Sequence, residues 1–108
     1  MIIDRLDRMV NGWFIGDFEP SLYPTQNVEV AVKHYSAGDH EGRHHHKFAT
    51  ELTAIVSGTA RMGDREVGPG DIVVLEPGEA SDFTALTDVA LVAVKLPAVK
   101  DDKYPDDD

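Results

Sequence analysis

Five histidines fall between residues 34 and 46 of this 108-residue chain, and three of them, His44, His45 and His46, are consecutive. Side chains alternate along an extended strand, so His44 and His46 share one face while His45 points to the other. Two residues of strand advance about 6.6 Å, close enough for two imidazoles to lean onto one ion about 2.1 Å from each nitrogen. Glu51 follows five positions after His46, an odd separation that puts it on the wrong face of an unbroken strand. Lys47-Phe48-Ala49-Thr50 must therefore contain a turn or a change of strand if Glu51 is to join the histidines. Two imidazoles and a carboxylate suit Fe(II), Mn(II), Zn(II) or Ni(II) and leave positions open for water or substrate. Spacing alone equally allows a histidine-rich exposed turn.

The elements that must position these groups read as β. Val28, Val30 and Val32 alternate with Glu29, Ala31 and Lys33, the period of a half-buried strand. Ser36 to Arg43 reads as a turn centred on Ala37-Gly38-Asp39, and Leu52 to Val56 as the next apolar run. Gly63-Asp64 suits the tight turn of a hairpin over Arg61–Glu66. Pro69-Gly70-Asp71 is a second turn, Ile72 to Leu75 reads as a buried strand, and Val89 to Leu96 is a long β-branched run ended by Pro97. Trp13-Phe14-Ile15 reads as a short extended segment. The one helical candidate is Ile2, Leu6, Met9 and Val10, although Ile3 to Asp7 could equally be a strand. Short strands with turn signals about every ten residues predict one all-β domain, an antiparallel sandwich or jelly-roll barrel.

Composition narrows the function classes. The chain suffices for one core, and no apolar run approaches the roughly 20 residues of a membrane helix. Charges interrupt the first residues where a secretion signal needs an apolar stretch, so a cytoplasmic protein is expected. There is no cysteine, which removes disulfides and thiolate chemistry. The formal net charge of −10 argues against nucleic acid, whose binding needs a basic footprint, and weakly against strongly anionic substrates. The acidic last eight residues read as a solvated tail.

Gly38, His44, His46, Glu51 and Gly58 reproduce, at every defining position over 21 residues, the first motif of the cupins. The chain thus resembles that superfamily, whose fold is a jelly-roll barrel, the double-stranded β-helix. The resemblance implies that His44, His46 and Glu51 are metal ligands at one mouth of the barrel, and that Gly38 and Gly58 serve turns. The second motif is degenerate. Gly70 and Gly78 match, but Glu76 stands where proline is expected, Ser81 where the fourth ligand histidine is expected, and Ala85 where asparagine is expected. Ser81 could give a hydrogen bond to a metal-bound water, and alternation turns Asp82 away from the site. The expected organisation is an N-terminal arm over 1–27 packing on the barrel or a partner, the barrel over 28–97, and an acidic tail over 98–108.

If Glu51 faces inward, so does Thr53, by the same period of two. On the preceding strand either the valines or Glu29, Ala31, Lys33 and Tyr35 line the barrel, which makes Lys33 and Tyr35 candidate substrate contacts. Phe83 is a candidate pocket wall, and Trp13 and Phe14 read as interface or core. The resemblance implies a metal-dependent enzyme of dioxygenase or isomerase type and a homodimer, and the acidic balance points to an uncharged or cationic small molecule as substrate. Alternatives are a non-catalytic small-molecule or sugar-binding module, and a metal-free nucleotide-sugar isomerase using histidine as acid and base.

Overall fold

A computed structural model describes residues 1–106. It contains ten strands: β1 (Trp13–Ile15), β2 (Glu29–Tyr35), β3 (His40–His46), β4 (Thr50–Ser57), β5 (Ala60–Met62), β6 (Arg65–Val67), β7 (Ile72–Leu75), β8 (Ala80–Ala85), β9 (Val89–Leu96) and β10 (Lys103–Pro105). They form two five-stranded sheets, β1-β2-β9-β4-β7 and β10-β3-β8-β5-β6, with every pairing antiparallel. The two sheets enclose one core, in the jelly-roll architecture expected. No helix among the described residues is long and apolar enough to cross a membrane.

Alternation decides which side chains fill the interior. On β9, Val89, Leu91 and Ala93 are buried, and they form one core with Ala31 and Ile55 of the flanking strands and with Phe83 and Ala85 of the facing sheet. On β2 it is the set Ala31, Lys33 and Tyr35 that faces in, so the valines lie on the outer face. Gly58, at the end of β4, has φ +82°, and a Cβ there would collide with the Asp88 carbonyl, so the turn into β5 requires glycine.

Several expectations are corrected. The N-terminal helical pattern forms only one 3₁₀ turn, Leu6–Arg8, which buries nothing. A short amphipathic stretch without a surface to pack on gains too little to propagate a helix. The segment Ile72–Leu75 is an edge strand rather than a buried one, with Ile72 65% and Val74 47% exposed. His40–Arg43 is already strand, so the turn before it is shorter than Ser36–Arg43. Finally, the acidic C-terminal segment is not wholly a solvated tail. Lys103, Tyr104 and Pro105 pair with His46, His45 and His44, because β3 would otherwise be an open edge. The last two residues of that segment, 107 and 108, lie outside the described part.

Candidate metal centre

The chain does change strand between His46 and Glu51. β3 ends in one sheet at His46, and β4 begins in the other at Thr50. The three residues between them are held by a carboxylate from the C-terminal segment. Asp102, 5% exposed, accepts hydrogen bonds from the backbone N–H groups of Lys47 (2.9 Å), Phe48 (3.1 Å) and Ala49 (3.0 Å). Burial opposes the charge on Asp102, but these three N–H groups outweigh it and hold the carboxyl below the usual aspartate value. The geometric demand that the sequence made of residues 47–50 is met, by a residue 51 positions beyond Glu51.

Donor atoms of His44, His46 and Glu51 all lie within 4.8 Å of one another. His46 Nδ1 is 3.4 Å from Glu51 Oε2, and the two imidazoles meet edge to face with centroids 5.4 Å apart. His44 Nδ1 lies 2.9 Å from the Gly42 carbonyl, which can only accept. Nδ1 therefore carries the hydrogen and Nε2 is left with the lone pair, the tautomer that a metal ligand needs. His46 Nε2 is buried with no hydrogen-bond partner, an uncompensated polar atom that coordination would satisfy. Burial lowers the His46 pKa to about 4, with the charges of Lys95 and His44 adding, so the ring is neutral at pH 7. Two imidazoles and a carboxylate fit a divalent ion. His45 points away, as alternation requires, with its Nδ1 2.6 Å from Asp106 and its ring stacked on Tyr104.

Of the cluster, His44 and Glu51 line a cavity of about 60 Å³, whose walls include Lys33, Tyr35, Thr53, Ser81 and Phe83, so every pocket residue named from the sequence reaches it. Ser81 sits opposite His44 in register, but its hydroxyl donates to the Asp82 carbonyl (2.8 Å) and is not aimed at a metal-bound water. Asp82 spends Oδ1 on the Gly63 N–H (2.9 Å) and stays out of the ligand cluster. Phe83 is both core and wall, its ring 4.7 Å from that of Tyr35. Trp13, read as interface or core, packs on its own barrel. β1 pairs with its own β2, and the indole lines the cavity.

Four residues escaped the sequence reading. Glu41 enters the cavity because β3 is bulged: Glu41 pairs with Phe83 and His44 with Ser81, three residues against two. Without the extra residue Glu41 and His44 would face opposite ways. Tyr35 Oη donates to Glu41 Oε2 at 2.7 Å, and Lys33 Nζ lies 3.8 Å from the same oxygen. Burial works to raise the Glu41 pKa, but the Tyr35 bond and the Lys33 charge hold it below the usual value. Burial pushes the Tyr35 phenol far up, and Glu41 adds to this. Lys95 and Lys103 also line the cavity. Continuing the inward period of β9 from Leu91 and Ala93 would have found Lys95. Lys103 and Asp102 had no local signal, since they lie in a segment whose composition reads as solvated.

No family model and no curated protein sequence matches the chain. Solved structures do. A double-stranded β-helix protein from Klebsiella pneumoniae is 23% identical, covers 68% of this chain and 66% of its own, and superposes with TM-score 0.64. The DMSP lyase DddQ from Ruegeria pomeroyi is 20% identical with TM-score 0.71, covering 89% of this chain but only 52% of the lyase. An RmlC-like cupin from Shewanella frigidimarina is 16% identical with TM-score 0.66, covering 71% and 72%. At these identities the likeness is one of fold: the chain has the cupin fold.

Proposed function

We propose that this protein is a small metal-dependent cupin enzyme whose divalent ion is held by His44, His46 and Glu51. The observation that carries the reading is the buried, unpartnered Nε2 of His46, on a residue clustered with His44 and Glu51, both of which line the cavity. A bound ion would supply a Lewis acid with open positions. Around it Glu51 offsets charge, Gly42 fixes the His44 ring, and Phe83 and Trp13 keep the cavity partly dry. The reaction is of dioxygenase or isomerase type, and turnover with and without dioxygen separates the two. Elemental analysis of protein purified without chelator should find about one divalent ion per chain, and His44→Ala should lose it. Metal-free wild-type protein would overturn the reading.

The absence of a fourth histidine at Ser81 favours, as second reading, a non-catalytic binding module on the same pocket. Saturable ligand binding that survives metal stripping, with no product, would support it. The metal-free acid–base alternative is disfavoured at His46, because a ring with its pKa near 4 carries no proton to give at neutral pH.

The homodimer is proposed to form through the outer face of the first sheet, where Val56, Ile72 and Val74 are exposed. Two chains of net charge −10 repel each other except across such an uncharged face. Light scattering should give twice the 11.8 kDa chain mass, and Val56→Glu with Val74→Glu should halve it; a wild-type monomer would refute this surface.

A further inference from the structure

The chain as a whole is strongly acidic, yet the space beside the metal ligands is not. Lys33, Lys95 and Lys103 reach it from three strands, β2, β9 and β10. Lys33 is partly neutralised by Glu41 at 3.8 Å. Lys95 and Lys103 are different. Glu29 and Glu51 flank Lys95 in register, but no carboxylate of the described residues comes within 4.0 Å of either ammonium. Lys95 Nζ instead lies over the Trp13 ring, 4.9 Å from its centroid, with Lys33 Nζ 5.5 Å from the same centroid. Burial lowers the pKa of Lys33, Glu41 opposes this, and the charges of Lys95 and Lys103 lower it further, as expected for ammonium groups crowded around one space. A divalent ion would exceed the Glu51 charge by one. In the lining Lys33, Lys95 and Lys103 balance the carboxylates of Glu41, Glu51 and Asp82, so a bound divalent ion would make this a positive pocket in an acidic protein, and low-dielectric walls concentrate such a field.

We propose that this cavity is an anion subsite in which Lys95 and Lys103, against the wall formed by Trp13, take the carboxylate of a small organic acid. The proposal rests on the metal-enzyme reading of the same site and narrows its substrate class, against the expectation of an uncharged or cationic substrate drawn from net charge. The cavity leaves about 60 Å³ free beside the two ammonium groups, room for a planar carboxylate with its first carbons. A larger remainder has room, because Lys33, Tyr35, Glu41 and Lys103 also line an open groove of about 970 Å³ on the side of the N-terminal turn.

Trp13 is the only tryptophan of the chain, so its fluorescence reports on this subsite alone. Purified protein, its metal content measured on the same sample, is titrated with acetate, lactate and malonate and with the corresponding neutral amides. At least one carboxylate should give a saturable change that its amide does not. Lys95→Met should weaken that binding at least tenfold with metal content unchanged, and Lys95→Arg should restore most of it. Lys103→Met, at an exposed position of the edge strand β10, should weaken it as well and guards against a folding defect. Carboxylates and amides that behave alike, or Lys95→Met and Lys103→Met proteins that bind as wild type, would overturn the proposal. Failure of the metal reading shows separately, as absent metal in the wild-type sample.

Discussion

Two ends of the barrel interior are built from the same strands and do opposite work. Along β4 the inward residues run Glu51, Thr53, Ile55, and along the antiparallel β9 they run Lys95, Ala93, Leu91 in the same direction, paired one to one. One end sets Glu51 opposite Lys95 beside the candidate metal cluster and the other is a dry pair, with Ile55 2% and Leu91 3% exposed. Two strands thus change from chemistry to packing within four residues. The apolar end stabilises the fold by burial, while the polar end leaves His46 Nε2 buried and unsatisfied and gathers like-charged lysines, both of which cost stability. A site kept ready for a ligand is less stable without it than the same volume filled with hydrocarbon.

Substitutions at the two ends should therefore part company. Leu91→Ala should cost about 2–5 kcal/mol in denaturant unfolding through the cavity it leaves, while metal content per folded chain stays at the wild-type value. Equal loss of metal would mean that the two ends are not separable. Asp102→Ala comes next, at about 1–3 kcal/mol, because it strips the acceptor from three backbone N–H groups. Unlike Leu91→Ala, it should also weaken metal affinity, since the His46–Glu51 connection loses its anchor; unchanged affinity would show that the turn holds by itself. The smallest effect has the opposite sign: His46→Leu should abolish metal binding yet stabilise the metal-free protein by about 1 kcal/mol.

Acid sharpens the same contrast. His46 titrates near 6.5 in an unfolded chain and at about 4 in the folded one. As pH falls through that window the unfolded chain takes up a proton that the fold refuses, so metal-free stability should decline. Urea midpoints should fall between pH 6.5 and 4 in the wild type, and less in His46→Leu. Parallel slopes would contradict the buried neutral ring. Asp102, held below its ordinary value, adds its own loss only at lower pH.

The legible part of this molecule was what alternation and motif spacing encode locally. β2, β4, β9 and the hairpin of β5 and β6 stand where period and turn residues put them, and the clustering of His44, His46 and Glu51 was readable from the five motif residues. Period two also decided that His45 leaves the site. What was hidden depends on pairing between distant segments. Whether Ile72 and Val74 are covered is settled by which strand ends the sheet, and their β-branched chemistry cannot tell an edge from a centre. Glu41 was invisible because a bulge shifts the period by one. Asp102 and Lys103 sit among aspartates that look solvated, and only the free edge of β3 turns that segment into a strand. Net charge likewise averages over residues that never meet, so it did not show the three lysines gathered in the pocket.

The central claim is that His44, His46 and Glu51 share one ion, and an anomalous difference map from crystals of chelator-free protein tests it directly. The account predicts one strong peak about 2.0–2.2 Å from an imidazole nitrogen of each histidine and from a Glu51 oxygen. A map flat at that point while the three side chains hold their places, or a peak elsewhere on the molecule, would contradict it.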